Sequence, residues 1–303
     1  MPLVSEFSYT RSQRFAVALS RTSALATTLT LLLALPATPA ASVQLAGDTQ
    51  AAFDRYVRLT DSRNDTELRD AKQFLWIDSL APVERDASYA ALRQGEVRMS
   101  RLETKDAGSA LDCPGGLIHH WAGAIFIPGV TVDDVLRILQ DYDHESTYYA
   151  PDVERSKLES RDGDHFRAFL RFRRKKVITV VLNTEHDIHY FRDSPAQAHS
   201  RSSATRIAQV ENPGTPRERE KTPGDDDGFL WKMETWWRVK GADGGVYVQS
   251  EVVSLTRAIP AGLGWLVGPF ITSIPKETLA FTLQATRKAA QQKQAPAVKT
   301  GEL

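Results

Sequence analysis

Seven histidines and one cysteine stand among 38 acidic and 38 basic side chains in a chain of 303 residues. His119 and His120 are adjacent on an alternating segment, which aims their rings at opposite faces of a strand. His186 and His189, three residues apart, diverge in the same way. Glu185, Asp187 and His189 do share a face. Such a cluster reads first as ordinary solvated hydrogen bonding, with ion binding or proton transfer as the lesser alternative. No further ligand pair is legible beside it, so no metal and no cofactor is expected. Cys113 lies beside Pro114 with no histidine at a defined spacing, and so is no candidate nucleophile. A single cysteine also excludes an intramolecular disulfide. Glu251 is the carboxylate of most interest, because its strand pairs with FLWKMETWWRVK. Facing inward it would be a polar anchor in an apolar pocket, with a raised pKa. A one-residue change of register would put it in solvent. Tyr142, Asp143, His144, Tyr148 and Tyr149 either line a cavity mouth or cap a helix. No GxSxG, phosphate-loop, dinucleotide or HExxH pattern occurs, and no catalytic residue is assigned.

The apolar residues carry more information. In FLWKMETWWRVK, alternation places Phe229, Trp231, Met233, Thr235, Trp237 and Val239 on one face. That row is an adaptable wall for a bulky apolar ligand, or the surface of a plain packed core. Phe166, Ala168, Leu170 and Phe172 form a similar inward row. Phe169 on the opposite row, with Ile178, Val180 and Leu182 on the next strand, makes these strands apolar on both sides. Their outer face therefore requires a cover. The segment Ala258–Phe270 sets Ile259, Leu263, Trp265, Leu266 and Val267 among Pro260, Gly262, Gly264 and Gly268. It reads as a movable lid, as a membrane-surface contact anchored by Trp265, or as a rigid connector. Arg173, Arg174, Lys175 and Lys176 form a basic tip that suits anionic headgroups or a solvated hairpin end.

The elements that must position these residues follow from periodicity. Arg11, Arg14 and Arg21 precede a twelve-residue apolar run, Ala24 to Leu35, then Pro36 and the small residues ATPAAS. This is the layout of a cleaved secretory signal, residues 1–40, and predicts export to the periplasm or medium. The run is shorter than the roughly 20 residues that span a bilayer. Processing would take three of the 38 basic groups and one of the 38 acids, leaving 35 against 37. A near-neutral chain argues against nucleic acid as a partner. Residues 41–95 read as a helical extension, with helices capped near Asp48 and Thr66 and a third ending at Gly95. From Glu96 the period becomes two. GLIHHWAGAIFIP is a strand, TVDDVLRILQDY a helix capped by Thr131, and six strands joined by short turns follow. Ile271, Ile274, Thr278, Phe281 and Ala285 then recur at helical spacing, before a polar tail at 291–303.

Two stretches resemble a known superfamily. VDDVLRILQDYDHESTYYAPDVERSKLE and SLTRAIPAGLGWLVGPFITSIPKETLAFTLQATRK are similar to passages of the helix-grip superfamily. It includes START-type lipid-transfer domains, birch-pollen-allergen-like proteins and bacterial polyketide cyclases. The resemblance covers residues 96–290 and implies an α+β fold, a curved antiparallel sheet wrapped around a long C-terminal helix. The helical extension is not part of that common fold. The resemblance also implies a sheet–helix cavity for a hydrophobic small molecule or lipid. Its lining is expected to include Phe166, Leu170, Trp231, Met233, Trp237, Glu251, Leu263, Trp265 and Phe281. A non-catalytic, monomeric carrier is the leading reading. A cyclase-, aromatase- or hydrolase-like enzyme using the same cavity, and an envelope interaction module, are the alternatives.

Overall fold

A computed structural model describes residues 43–70, 72–175, 178–259 and 264–294, with 264–272 and 294 through their backbone alone. The leader expected at 1–40, Leu263 and most of the tail expected at 291–303 lie outside the described residues.

The extension opens with a two-residue strand, Val43–Gln44, paired with Asp225–Asp226, and then has one helix, α1 (Gly47–Arg69), where two were expected. Phe53, Tyr56, Val57, Thr60 and Asn64 recur at spacings of three and four along its buried face. Thr66, the expected cap, is inside α1 and bonds back to the Ser62 carbonyl. The stretch SRNDT has weak helix propensity, and tertiary contacts carry the helix through it. Asn64 and Glu67 accept from the buried Arg238 guanidinium, and Asp61 pairs with Arg201. A 3-10 turn (Trp76–Ser79) and α2 (Pro82–Arg93), with proline at its start, complete the extension.

The sheet strands are β1 (Arg98–Arg101), β2 (Gly116–Pro128), β3 (Val153–Asp162), β4 (His165–Lys175), β5 (Thr179–Ser194), β6 (Gln197–Glu211), β7 (Lys232–Ala242) and β8 (Gly245–Arg257). Between β2 and β3 come α3 (Val132–Leu139), capped by Thr131, and the single turn α4 (Glu145–Tyr148). The chain ends in α5 (Gly264–Gln294). The antiparallel order is β1-β2-β8-β7-β6-β5-β4-β3, with a short strand Arg219–Glu220 added at β6. Short turns between consecutive strands dictate most of this meander. The sheet stays open, with β1 and β3 as its edges, and does not close on itself.

Helix α5 joins the two ends instead. Leu279 and Leu283 pack with Ile125, Ile127, Val246 and Val248 of β2 and β8. Phe281 and Ala285 pack with Leu170 and Phe172 of β4 and Val153 of β3. Gly123 permits the close approach, because a Cβ there would lie 2.7 Å from Leu283 Cδ1 and 2.6 Å from Met99 Sδ.

The opposite, outer face is covered by the extension, over other strands than the sequence pattern indicated. Phe53, Tyr56 and Val57 bury Trp236, Val253 and Leu255, while Phe74, Leu75, Ile77 and Leu92 bury Ala124, Phe126 and Tyr247. The cover thus sits on β2, β7 and β8. On β5, Leu182 is the cross-strand neighbour of Phe172 and shares its inner face, and Ile178, just before β5, remains 54% exposed. Among the described residues no helix is long and apolar enough to cross a membrane.

Candidate ligand-binding face

The register sets which side chains meet beneath α5. One row across the inner face runs Gly123, Ser250, Trp237, Ser200, Tyr190, and the next runs Trp121, Val252, Thr235, Ser202, Ile188. One end of the face is filled by Val130, Val132, Val135, Ile138, Leu139 and Tyr142 from the α3 region. Elsewhere it is more open. Trp121, Val252, Thr235, Ser202, Met233 and Trp237 are only half-buried, although each lies on a strand flanked on both sides. Ile274, Thr278, Phe281 and Ala285 make a half-buried stripe on α5, at helical spacing. Small hydroxyl residues occupy the middle of the sheet where a filled core would place branched aliphatics. Ser200 and Ser250 are each 1% exposed, and Ser200 Oγ has no hydrogen-bond partner.

Titratable groups are interleaved with this surface. Tyr190 donates to the Leu139 carbonyl at 2.6 Å, so Tyr142, 2.8 Å away, donates to Tyr190. Burial drives both phenols well above their ordinary value. Glu145, also buried, has its carboxyl pushed up to about 8 by desolvation and then by Asp141. Thr184 Oγ1 donates to the Leu170 carbonyl and therefore accepts from His186 Nε2 at 2.8 Å, leaving Nδ1 as an acceptor. Burial lowers His186 to about 4. His119, at the other side of the face, is lowered to about 4 by burial and by Arg101, with Thr256 3.1 Å from its Nε2.

No protein-family model and no curated protein sequence matches the chain. Among solved structures it is similar to a STAR-related lipid transfer protein from Xanthomonas axonopodis (18% identity, TM-score 0.40, covering 60% of this chain and 97% of that one). Human STARD10 matches at 9% identity and TM-score 0.40, over 71% and 84%. The Zhui aromatase/cyclase from Streptomyces sp. R1128 matches at 13% and 0.38, over 58% and 96%. At such identities no functional residue transfers from these proteins to this chain. The element order itself (strand, short helices, antiparallel meander, long terminal helix laid on the inner face) decides the architecture. The fold is a helix-grip fold.

The grip brings together five of the nine expected lining residues. Phe166 and Trp237 share one cluster with α5, Leu170 and Phe281 share another, and Met233 packs with Leu182, Ala204 and Ile207. Trp231 belongs to the outer face, against Phe53 and Tyr56, with its indole N–H on Asp226 at 3.0 Å. It precedes β7, and the turn at Gly228 breaks the alternation that would have aimed it inward. Glu251 is also on the outer face, and it is buried there, because α1 covers it. It accepts from Arg63 and from His120 Nε2 at 2.7 Å, while His120 Nδ1 meets Tyr56 OH at 2.9 Å. Burial raises its pKa, but the His120 hydrogen bond and the Arg63 charge outweigh this and hold it below 4.5, opposite to the expected direction. Leu263 lies outside the described residues, and Trp265 is described only as part of the helix backbone. The expected Ala258–Phe270 segment is therefore helical from Gly264 onward rather than an extended loop.

The other candidates resolve individually. The basic tip is ion-paired within the fold: Arg173 with Glu154, and Arg174 with Asp152 and with Glu277 of the grip helix at 3.2 Å. Lys176 lies outside the described residues. Cys113 has its thiol pushed up by burial, Asp112 and Asp48. His144 is exposed and paired with Asp141 at 2.7 Å, whereas Tyr142 and Tyr149 turn inward. Glu185 leaves its expected cluster for Arg206 at 3.7 Å, and His165 takes its place beside Asp187 and His189. The sequence reading missed Glu145, Thr184, Tyr190 and Ser200. Alternation along β5 and β6 contained the signal for the last three, since Leu182, Thr184, His186, Ile188 and Tyr190 share one face.

Proposed function

We propose that this chain binds one apolar molecule bearing a hydroxyl or carbonyl group between sheet and grip helix, and serves as an exported carrier rather than a catalyst. The observation that supports this reading is the half-buried, hydroxyl-bearing centre of the inner face. Large apolar side chains wall it, Thr235 and Ser202 are its half-buried hydroxyls, and the fully buried, unpartnered Ser200 Oγ lies in the next row. An apolar ligand gains roughly 25 cal/mol for each Å² it removes from water, and one well-placed hydrogen bond orients it. The buried phenols and His186 already spend their hydrogens on protein acceptors, which suits holding more than proton transfer. An enzyme reading draws on one observation, the Glu145 carboxyl, which stays protonated near neutral pH as a general acid would.

Native mass spectrometry of freshly purified and delipidated protein tests the carrier. A discrete mass excess is expected, lost on delipidation and regained intact on re-addition of the extract. The double variant Ser200→Leu/Ser250→Leu should fold and lose the excess. Protein free of any excess, with a filled variant merely more stable, would sink the carrier reading. Conversion of the re-added compound would favour the enzyme. N-terminal sequencing of protein recovered from the envelope and medium tests export: a mature start near Ala41 is expected, and an intact Met1 start would refute it.

A further inference from the structure

We propose that His165, Asp187 and His189 form a binding site for a divalent transition ion of the zinc class on the outer face of the β4–β5 hairpin. Register creates the site: His165 and His189 are direct cross-strand partners, and Asp187 shares their face two residues before His189. The imidazole rings stack with centroids 4.1 Å apart and planes within 5°. Both rings aim Nε2 at one carboxylate, His165 at Oδ2 (2.9 Å) and His189 at Oδ1 (3.1 Å). One ligand atom from each residue lies within 4.8 Å of the others.

Donor chemistry selects the ion. Two imidazoles with one carboxylate favour zinc and its neighbours over magnesium or calcium, which prefer all-oxygen shells. Metal–ligand bonds of about 2.0–2.1 Å put the donors of a tetrahedral site roughly 3.4 Å apart, so both contacts must open by about 0.3–0.5 Å and the parallel rings must tilt toward each other, since an ion lies in the plane of both imidazoles only where those planes cross. The side chains of His165 and His189 are 34% and 49% exposed, which gives the ion an entry path and leaves its remaining positions to water. Each neutral imidazole would move its hydrogen from Nε2 to Nδ1 on binding, and solvent can receive that N–H. Arg167, 3.6 Å from Asp187 Oδ2, competes for the carboxylate and sets a limit on affinity. The site is independent of whatever the inner face binds.

Zinc chloride titrated into chelator-treated full-length protein, followed by calorimetry and by the imidazole proton resonances, provides the test. One ion per chain is expected, with the His165 and His189 resonances moving together. Loss of an outer-shell partner alone typically costs 10–100-fold in affinity, so His165→Gln and His189→Gln should each weaken zinc by at least about tenfold. Glutamine keeps a donor for Asp187, and unchanged melting without zinc would separate ligand loss from unfolding. Arg167→Gln should tighten binding severalfold, which a merely structural cluster would not do. His199→Ala should leave binding unchanged, because His199 pairs with Asp193 instead. Absence of binding below millimolar zinc, or full affinity in His165→Gln, would overturn the proposal.

Discussion

Glu145 and Glu251 are both buried carboxylates, and their surroundings push them in opposite directions. No charge compensates Glu145, whose pKa rises from 4.5 to about 8. A raised carboxyl contributes its stability below its unfolded value and loses it as pH climbs toward the folded one. At about pH 7 the cost is roughly two and a half units, on the order of 3 kcal/mol. Glu145→Gln should therefore raise the urea midpoint relative to wild type, by a margin that widens from about pH 5 to pH 8. A constant difference across that range would mean the carboxyl is solvated. Glu251 has the reverse sign: its stabilisation is complete above 4.5 and fades as pH falls through its lowered folded value. Glu251→Gln should cost about 3 kcal/mol near neutrality, the low end for a buried pair losing a partner, because half-buried Arg63 retains a route to water. Urea melts of the two variants side by side would check both signs.

The helical extension is the element whose role the common fold could not supply. Amphipathic spacing made Phe53, Tyr56 and Val57 readable as a buried face, whereas the strands read as doubly apolar pointed the cover to β4 and β5, where Leu182 in fact faces inward. Which strands it covers was not legible, since that depends on long-range pairs such as Arg238 with Asn64 and Glu67. Register was the other gap. Alternation correctly grouped Met233 with Trp237, but it failed at Trp231, where the strand had not yet begun, and could not assign a side to Glu251. His165 and His189 lie too far apart in sequence for spacing to pair them, whereas the hairpin makes them neighbours. Removing residues 43–95 would uncover two apolar patches, Phe126 with Tyr247 and Trp236 with Val253 and Leu255, on either side of the polar row Arg238, Gln249 and Glu251, together more apolar surface than a soluble monomer usually exposes. The truncated chain is expected to self-associate in sedimentation velocity, while the full chain does not. A monomeric, well-folded truncation would show that the extension is an accessory rather than a cover.

At the scale of the whole molecule, the grip's interior sets a limit on acid stability. His119 and His186 sit on the inner face as neutral groups with pKa values of about 4, from an ordinary 6.5. For a depressed histidine the stabilisation is present above the unfolded value and is lost as pH falls toward the folded one. Each contributes a loss of about 3 kcal/mol between 6.5 and 4. Glu145 opposes them over part of that range, regaining about 1.4 kcal/mol per unit as pH drops from 6.5 to 4.5. The net loss across those two units is then on the order of 3 kcal/mol, a large fraction of typical domain stability. Denaturant melts from about pH 7.5 downward should accordingly weaken below about pH 6.5, well before ordinary carboxylates titrate. His186→Phe should remove about half of the histidine slope, and Glu145→Gln should steepen what remains. A wild-type profile that stays flat between 6.5 and 4.5, with an equally flat Glu145→Gln profile, would mean that water reaches both histidines. The sheet and grip helix would then enclose a wet channel rather than the apolar binding surface described above.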